Sequence, residues 1–237
     1  MSGVIEAVGL TKRYGDLVAV DHVGLAVEEG SFFGVLGPNG AGKTTLIDSI
    51  TGFVSVADGE IVLDGAALHG LPVHRRAHSG VRRTFQQERT APQLTIGDYA
   101  RLAAGRQVPR DEIDAVLAFI GAPPASRRIS TVDVGTRRLV EVAGALAAKP
   151  RVLLLDEPAA GLTPEESAAL GVRISRIPEA YGCSVLLIEH DLELVTAACT
   201  QVTVLDFGVV IARGSPAEVL ADRLVIDAYL GMEVSVA

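Results

Sequence analysis

The chain has 237 residues, 49% of them hydrophobic, so it is long enough for one large domain or two small ones with a substantial core. Its formal net charge of −8 argues against a nucleic-acid partner, because phosphate contacts need a basic face. No apolar run approaches the ~18 residues that span a bilayer, and residues 1–10 lack the pattern of a signal peptide, so we expect a cytoplasmic chain.

Two segments near the N-terminus, residues 4–10 and 18–27, mix valine and leucine with polar residues, as half-exposed antiparallel strands do. Residues 11–16 between them form a predicted turn that carries Tyr14, one of only four tyrosines. Its ring could stack on a purine, an interaction of roughly 1–3 kcal/mol by analogy with bases stacked on aromatic side chains. A turn tyrosine that merely packs is the alternative.

A phosphate-binding loop is predicted next. The apolar run 31–36 has the length of a strand, and residues 37–44 (GPNGAGKT) fit the pattern GxxxxGK[ST]. Residues 45–52 carry apolar side chains at helical spacing, namely Leu46, Ile47 and Ile50. Strand, glycine loop and helix therefore stand in the order that a phosphate site needs, which disfavours a chance match.

The residue types in this loop suit a polyphosphate. Glycines at positions 37, 40 and 42 let backbone N–H groups point inward at an anion, and the helix N-terminus adds partial positive charge. Lys43 can reach the β- and γ-phosphates, and the Thr44 hydroxyl can ligate Mg²⁺.

Between this loop and the next motif, residues 59–65 (GEIVLDG) predict another strand. The strand-like run 81–87 ends in Gln86, whose amide could ligate Mg²⁺ and orient a water, although a surface glutamine is the commoner case. Residues of about 88–130 predict a helical insert, in which the helix 110–120 has one apolar face formed by Ile113, Val116, Leu117 and Ile120.

Two buried parallel strands that end in acidic motifs follow. A helix at 137–148 with Leu139, Val142, Ala143 and Leu146 buried precedes them. Residues 151–157 form an apolar run ending in Asp156, placed to hold the Mg²⁺ shell, and Glu157, which projects the other way and could polarise a water. The strand 183–188 leads to His190, which could hydrogen-bond the γ-phosphate or serve only the structure.

Taken together, these motifs resemble the ATP-binding subunits of ABC transporters over essentially the whole chain. The resemblance implies an α/β fold: a P-loop NTPase (ABC ATPase) core with a mostly parallel sheet, an antiparallel β subdomain and a helical subdomain. It further implies a single domain over 1–237, with the helical subdomain at about 88–150. The implied cofactors are ATP and Mg²⁺.

The resemblance also implies roles for single residues. The nucleotide-binding set combines the adenine-stacking aromatic with Walker A: Tyr14, Gly37, Pro38, Asn39, Gly40, Ala41, Gly42, Lys43, Thr44 and Thr45. The catalytic set is the base Glu157, the switch residue His190, and Gln86. Metal ligation falls to Thr44, Gln86 and Asp156, and residues 160–162 correspond to the segment that crosses the dimer.

Three further stretches resemble the branched-chain amino-acid uptake subfamily, namely 156–164 (DEPAAGLTP), 186–191 (LLIEHD) and 225–231 (VIDAYLG). That subfamily pairs two different ATP-binding subunits with two permeases and a solute-binding protein. The resemblance therefore implies transmembrane permease subunits and a second, non-identical ATPase as partners, with the binding protein an indirect one. It places this chain at the cytoplasmic face of the plasma membrane.

One motif departs from the family. Where LSGGQ is expected, residues 132–136 read VDVGT, so only Gly135 is retained and Thr136 closes the motif. The family serine donates to the γ-phosphate of the partner's ATP, whereas Asp133 brings a carboxylate there. Two like charges about 4 Å apart cost roughly 4 kcal/mol at an effective dielectric of 20. We therefore predict an asymmetric heterodimer, with one good site on this chain's Walker A and one degenerate site over Asp133.

Three functions remain open at this stage. The first is the ATP-hydrolysing motor of an importer, which intact Glu157 and His190 favour. The second is an ATP-binding regulatory half with little turnover of its own. The third, a soluble ABC ATPase acting on DNA or the ribosome, is disfavoured by the acidic charge and the absence of a basic arm. The transported solute, whether amino acid, urea, amide or another, is not fixed by this chain.

Overall fold

The computed structural model describes residues 3–84, 91 and 93–233. The strands are β1 (Ile5–Tyr14), β2 (Leu17–Val27), β3 (Phe32–Leu36), β4 (Asp58–Leu63), β5 (Ala66–Ala67), β6 (Val81–Arg83), β7 (Val152–Asp156), β8 (Ser184–Ile188), β9 (Gln201–Asp206) and β10 (Val209–Gly214). The helices are α1 (Lys43–Thr51), α2 (Val73–His78), α3 (Ile96–Ala104), α4 (Arg110–Ile120), α5 (Val134–Ala147), α6 (Pro164–Ile174), α7 (Ile177–Tyr181), α8 (Leu192–Ala198), α9 (Pro216–Leu220) and α10 (Arg223–Glu233).

The strands form two sheets. The first has the order β2-β1-β4-β5 and is antiparallel throughout. The second has the order β10-β9-β3-β8-β7-β6, in which every pair is parallel except β10 with β9. Because β8 and β9 flank β3, the carboxyl ends of these strands meet at the same edge as the phosphate loop, where ligands bind in open α/β sheets.

Two cores cover the two faces of the second sheet, which is why its central strands carry mostly apolar residues. On β7, Leu154 joins the core shared with α1 and the antiparallel sheet, whereas Leu153 and Leu155 join the core formed with α5, α6 and α8. Alternation along a strand places successive side chains on opposite faces. Parallel strands buried on both sides therefore read as continuous hydrophobic runs, as the predictions for β7 and β8 assumed.

Helices α3, α4 and α5 lie in the chain between β6 and β7 and pack on one another. Thr95 caps α3 by accepting a hydrogen bond from the Asp98 amide at 3.1 Å. On α4 the four predicted apolar side chains are buried, so the predicted amphipathic helix is confirmed. No helix in the described ranges is long and apolar enough to cross a bilayer.

Some predicted boundaries are wrong. The expected turn over 11–16 is shorter, because β1 continues through Tyr14 and only two residues separate it from β2. Helix α5 begins at Val134, three residues before the predicted start, because Asp133 caps it there. Leu139 is only half-buried, because Arg138 and Val140 take the buried positions beside it.

Candidate nucleotide-binding site

The phosphate loop joins β3 to α1 in a conformation that its glycines permit. Gly37, Gly40 and Gly42 have φ values of 146°, 81° and 100°. A Cβ on Gly37 would collide with the Leu205 carbonyl, and one on Gly42 with the Ala19 carbonyl. Gly42 caps α1 without a side chain, so the first amides of the helix, which have no acceptor within it, remain available to an anion.

Lys43 lies folded over this loop. Its Nζ donates to the carbonyl oxygens of Gly37 at 2.6 Å and Pro38 at 3.0 Å, and the residue is 6% exposed. Burial lowers the pKa of Lys43, while the nearby carboxylates of Glu157 and Asp156 oppose that shift. The ammonium group therefore stands between the glycine loop and the acidic strand ends.

A cavity of ≈ 570 Å³, which we call the P-loop cavity, opens above the loop. It is lined by Tyr14, Leu17, Val18, Ala19, Asn39, Gly40, Ala41, Gly42, Lys43, Thr44, Thr45, Glu157 and Phe207. Every predicted nucleotide-binding residue except Gly37 and Pro38 lines it, and those two are buried. Residues far apart in sequence, including the expected catalytic base, thus share one space with the loop.

Tyr14 is the last residue of β1 and is 47% exposed. The Lys12 ammonium lies 4.8 Å from the centre of its ring, within the range of a cation–π contact. The ring belongs to neither hydrophobic core among the described residues. Its position at the P-loop cavity makes it available to a planar ligand.

Asp156, at the end of β7, is held by an ion pair that the sequence does not predict. The Arg83 Nη2 donates to Asp156 Oδ2 at 2.7 Å, and Nη1 of the same guanidinium pairs with Asp48 on α1. Burial raises the pKa of Asp156, and the Arg83 guanidinium opposes that shift. The Thr84 hydroxyl also accepts a hydrogen bond from the Asp156 amide at 3.3 Å.

Glu157 follows in a left-handed backbone conformation with φ of 47°, which is uncommon for a non-glycine residue. Its amide donates to the Ile188 carbonyl at 2.9 Å, which fixes the turn against β8. Strand β7 ends at Asp156, so this turn, rather than simple strand alternation, directs Glu157 into the P-loop cavity. Local backbone strain of this kind clusters at functional sites.

His190 follows the end of β8, after the buried Glu189. It does not line the P-loop cavity but a second cavity of ≈ 680 Å³, together with Ala160, Gly161 and Leu162. Buried Glu189 anchors this corner by accepting hydrogen bonds from the amides of residues 159, 190 and 191. Glu157 and His190 therefore line different cavities, one above the phosphate loop and one beside residues 160–162.

Residues 132–136, which differ from the LSGGQ signature of the family, lead into α5. Asp133 is its N-cap, with Oδ1 accepting from the Thr136 amide at 2.7 Å. This hydrogen bond lowers the pKa of the exposed Asp133 carboxyl, so the side chain stays ionised at neutral pH. Gly135 packs so closely on Leu162 that a Cβ there would approach it to 2.7 Å.

Two more contacts reach the loop from the C-terminal part of the chain. The Gly37 amide donates to the hydroxyl of Tyr229 on α10 at 3.0 Å, and burial raises the pKa of that tyrosine. Phe207 lies in the turn between β9 and β10 and is 86% exposed. Tyr229 lies within the stretch 225–231 that resembles the uptake subfamily, whereas Phe207 belongs to no recognised motif. For neither residue does the sequence predict a position beside the glycine loop.

The donor set fits a magnesium ion bound together with a polyphosphate. Among the described residues, no cluster of three or more His, Cys, Asp or Glu side chains could hold a metal by itself. The Thr44 hydroxyl lines the P-loop cavity, and the Asp156 carboxylate stands at the adjoining strand end. Hydroxyl, carboxylate and phosphate oxygens are ligands that Mg²⁺ prefers. Gln86, the third predicted ligand, lies outside the described residues.

Comparisons with known proteins agree on one family. A family model described as ABC transporter matches residues 20–160, and one described as branched-chain amino acid ATP-binding cassette transporter matches residues 209–231. The high-affinity branched-chain amino acid transport ATP-binding protein BraF of Pseudomonas aeruginosa is 36% identical over 253 residues, covering 96% of this chain and 98% of BraF. LivG of Escherichia coli (strain K12), described in the same words, is 33% identical over 244 residues, covering 94% and 96%.

A solved structure extends this similarity to three dimensions. MJ1267 in its ADP conformation, described as an ATP-binding cassette of an ABC transporter, superimposes with a TM-score of 0.87 at 26% identity, covering 98% of this chain and 100% of that one. The predicted fold class is therefore confirmed: an α/β P-loop NTPase core with a mostly parallel sheet, beside antiparallel strands and helices.

Proposed function

Because this chain belongs to the ABC transporter family, we propose that it hydrolyses ATP to energise the uptake of branched-chain amino acids or a related small solute. It is an ABC-type ATPase and an ATP-binding subunit of a transporter. The solute is the proposed part. It is supported by the names of BraF and LivG and by the match at residues 209–231.

The observation that carries the catalytic assignment is the P-loop cavity, which places Glu157 beside the loop that would hold the triphosphate. The α1 amides and Lys43 would bind the phosphates. The Glu157 carboxylate would accept a proton from the attacking water, as a general base must. Mg²⁺, held by Thr44, Asp156 and Gln86, would neutralise charge on the phosphate oxygens when bound. Tyr14 would carry the adenine ring, and His190 would hydrogen-bond the γ-phosphate.

The proposed partners follow from the family. Transmembrane permease subunits would hold this chain at the cytoplasmic face of the plasma membrane, and a solute-binding protein would act through them. We take residues 1–237 as a single ABC ATPase domain, in which the helices of about 88–150 form a helical subdomain. Its helices, which lie between β6 and β7 in the chain, would offer the permease a docking surface.

The second ATPase subunit is proposed to be non-identical, because of the residue that caps α5. The Asp133 carboxylate is exposed and ionised, so a second copy of this chain would present a negative charge to each γ-phosphate. A partner with an intact signature would instead complete the site on this chain's Walker A. The degenerate site over Asp133, with Gly135 and Thr136, would then bind ATP without closing well.

The exposed Asp133 carboxylate also favours a second candidate function, that of an ATP-binding regulatory subunit of the heterodimer with little ATP turnover of its own. The two are separated by replacing Glu157 with Gln in the mixed dimer of this chain and its partner ATPase. We expect the Glu157→Gln dimer to retain radiolabelled ATP without releasing phosphate, while Lys43→Ala loses binding altogether. Hydrolysis at the wild-type rate in Glu157→Gln would instead assign turnover to the other subunit.

Substrate class is tested in liposomes that contain the permeases and both ATPases. Leucine with its binding protein should stimulate phosphate release several-fold over the unliganded receptor. Stimulation by another solute alone, with none by leucine, isoleucine or valine, would reject branched-chain amino acids while leaving the ATPase assignment intact.

A further inference from the structure

The turn between β9 and β10 consists of Phe207 and Gly208, with φ values of 43° and 81°. Two residues with positive φ make the tight hairpin turn that favours Asn-Gly, because a bulky side chain is strained in the left-handed region. Here the first position is a phenylalanine, and it is 86% exposed. Both its conformation and its exposure are unfavourable in the chain alone, which points to a role outside folding.

The turn is fixed against the phosphate loop. The Gly208 amide donates to the Ala41 carbonyl at 3.0 Å, and the Asp21 amide donates to the Gly208 carbonyl at 2.8 Å. A Cβ on Gly42 would lie 3.5 Å from the Gly208 Cα. Hydrogen bonds to both β2 and the loop therefore hold the position of Phe207 relative to any bound phosphate.

Phe207 lines the P-loop cavity together with Tyr14, Leu17 and Val18. Tyr14 and Leu17 come from the first sheet, whereas Phe207 lies in the β9–β10 turn of the second sheet, so the two aromatic residues line the cavity from separate sheets. Phe207 belongs to neither hydrophobic core among the described residues. A planar apolar ligand bound above the loop would give its ring the contacts that the chain does not supply.

We propose that Phe207 is a nucleoside-contacting residue, which packs its ring against the base and ribose of the nucleotide held by the phosphate loop and shares that task with Tyr14. The proposal rests on the proposed ATP site and adds a binding residue to it. The contact depends on apolar and π surface rather than on charge, so it should act on the nucleoside and leave phosphate binding unchanged.

The test compares ATP with inorganic tripolyphosphate, which has the phosphates but no nucleoside. The informative variant is Phe207→Asn, because asparagine suits the left-handed turn and removes only the aromatic ring. We expect the ATP dissociation constant, measured by calorimetry, to rise about tenfold, while that for tripolyphosphate stays within twofold. Phe207→Tyr should retain wild-type affinity, and Leu102→Ala, an exposed apolar residue on α3, serves as the matched control.

Two results overturn the proposal: an unchanged ATP affinity in Phe207→Asn, or equal weakening of both ligands, which would mean that the turn acts on the phosphate loop itself. Thermal unfolding of each variant checks that the fold is retained, and Phe207→Leu replaces the Asn variant if that one does not fold. Failure of the wild-type protein to bind ATP would refute the proposed function instead, and the two failures are thus distinguishable.

Discussion

Removing the negative charge at Asp133 should strengthen ATP-dependent association between two copies of this chain. Asparagine is the informative replacement, because it caps a helix about as well as aspartate and has nearly the same shape. The Thr136 amide at 2.7 Å would keep its acceptor, so Asp133→Asn changes the charge and leaves the start of α5 in place. Asp133→Ser goes further, since the hydroxyl could donate to the γ-phosphate.

The size of the effect follows from the position of the carboxylate. A pair of like charges about 4 Å apart repel by roughly 4 kcal/mol at an effective dielectric of 20. Asp133 is exposed, so solvent and salt screen the charge, and we expect about 1.5–2 kcal/mol to remain. That corresponds to about 10- to 30-fold for each site. Because the homodimer has two such sites, the association constant should rise by roughly 100- to 900-fold. For Ser, a charge-assisted hydrogen bond should add up to about tenfold.

The assay is dimer formation of the Glu157→Gln protein with Mg-ATP, followed by analytical ultracentrifugation, so that hydrolysis does not interfere. Asp222→Asn is the matched control, because that carboxylate also accepts a backbone amide hydrogen bond, from Leu224 at 2.8 Å, and lies at the start of α10. The control should leave association unchanged. Equal association of wild type and Asp133→Asn would refute the charge argument, and brisk turnover by the purified wild-type homodimer would refute the heterodimer.

The pH dependence gives a further check on the same prediction. The hydrogen bond from the Thr136 amide lowers the pKa of Asp133 below its unfolded value of 3.8, so the carboxylate stays ionised from pH 8 down to pH 5. The ratio between Asp133→Asn and wild type should therefore be constant over that window. The capping contribution to stability is present above pH 3.8 and is lost only as pH falls through the depressed folded pKa. A ratio that shrinks toward pH 5 would mean that either Asp133 or the γ-phosphate gains a proton there.

Two other substitutions test contacts that hold the site together. Arg83→Met should lower the free energy of unfolding by roughly 3 kcal/mol in urea titrations, because it leaves the Asp48 and Asp156 carboxylates without their shared cation. A loss below about 1 kcal/mol would show that these two ion pairs contribute little to stability. Tyr229→Phe removes the acceptor of the Gly37 amide and should cost about 1 kcal/mol. Unchanged stability and ATP affinity in this variant would mean that α10 does not support the phosphate loop.

The parts of the site that could be predicted from the sequence are those whose functional residues lie close together in the chain. Gly37, Gly42 and Lys43 lie within seven consecutive residues, so their spacing in the sequence is enough to predict the phosphate-binding loop. The runs that became β7 and β8 are buried on both faces, and uninterrupted apolar residues followed by carboxylates are typical of such strands. The charge at residue 133 could likewise be read directly, although its cap on Thr136 could not.

Errors in the predictions arose where packing decides between local alternatives. Residues 11–14, which were predicted to form a turn, continue β1 because their backbone pairs with β2. Residue propensities do not include the stability that this pairing adds. On α5, the charged Arg138 and Glu141 are buried while Leu139 is only half-buried, because neighbouring helices fix which face of the helix is covered. The sequence pattern of a helix predicts how often buried positions recur. Which face of the helix is buried depends on the tertiary packing.

Local spacing was therefore enough to predict a phosphate loop and two acidic strand ends, and the resemblance to the family pointed to the departure at Asp133. Only the tertiary structure decided that Arg83 joins Asp48 to Asp156, that Tyr229 supports Gly37, that Phe207 enters the cavity, and that His190 lines another one. The physical reason is the order of the strands. Because β9 and β8 flank β3 while β7 lies beyond β8, residues separated by tens to nearly two hundred positions become neighbours, and no local pattern in the chain encodes that order.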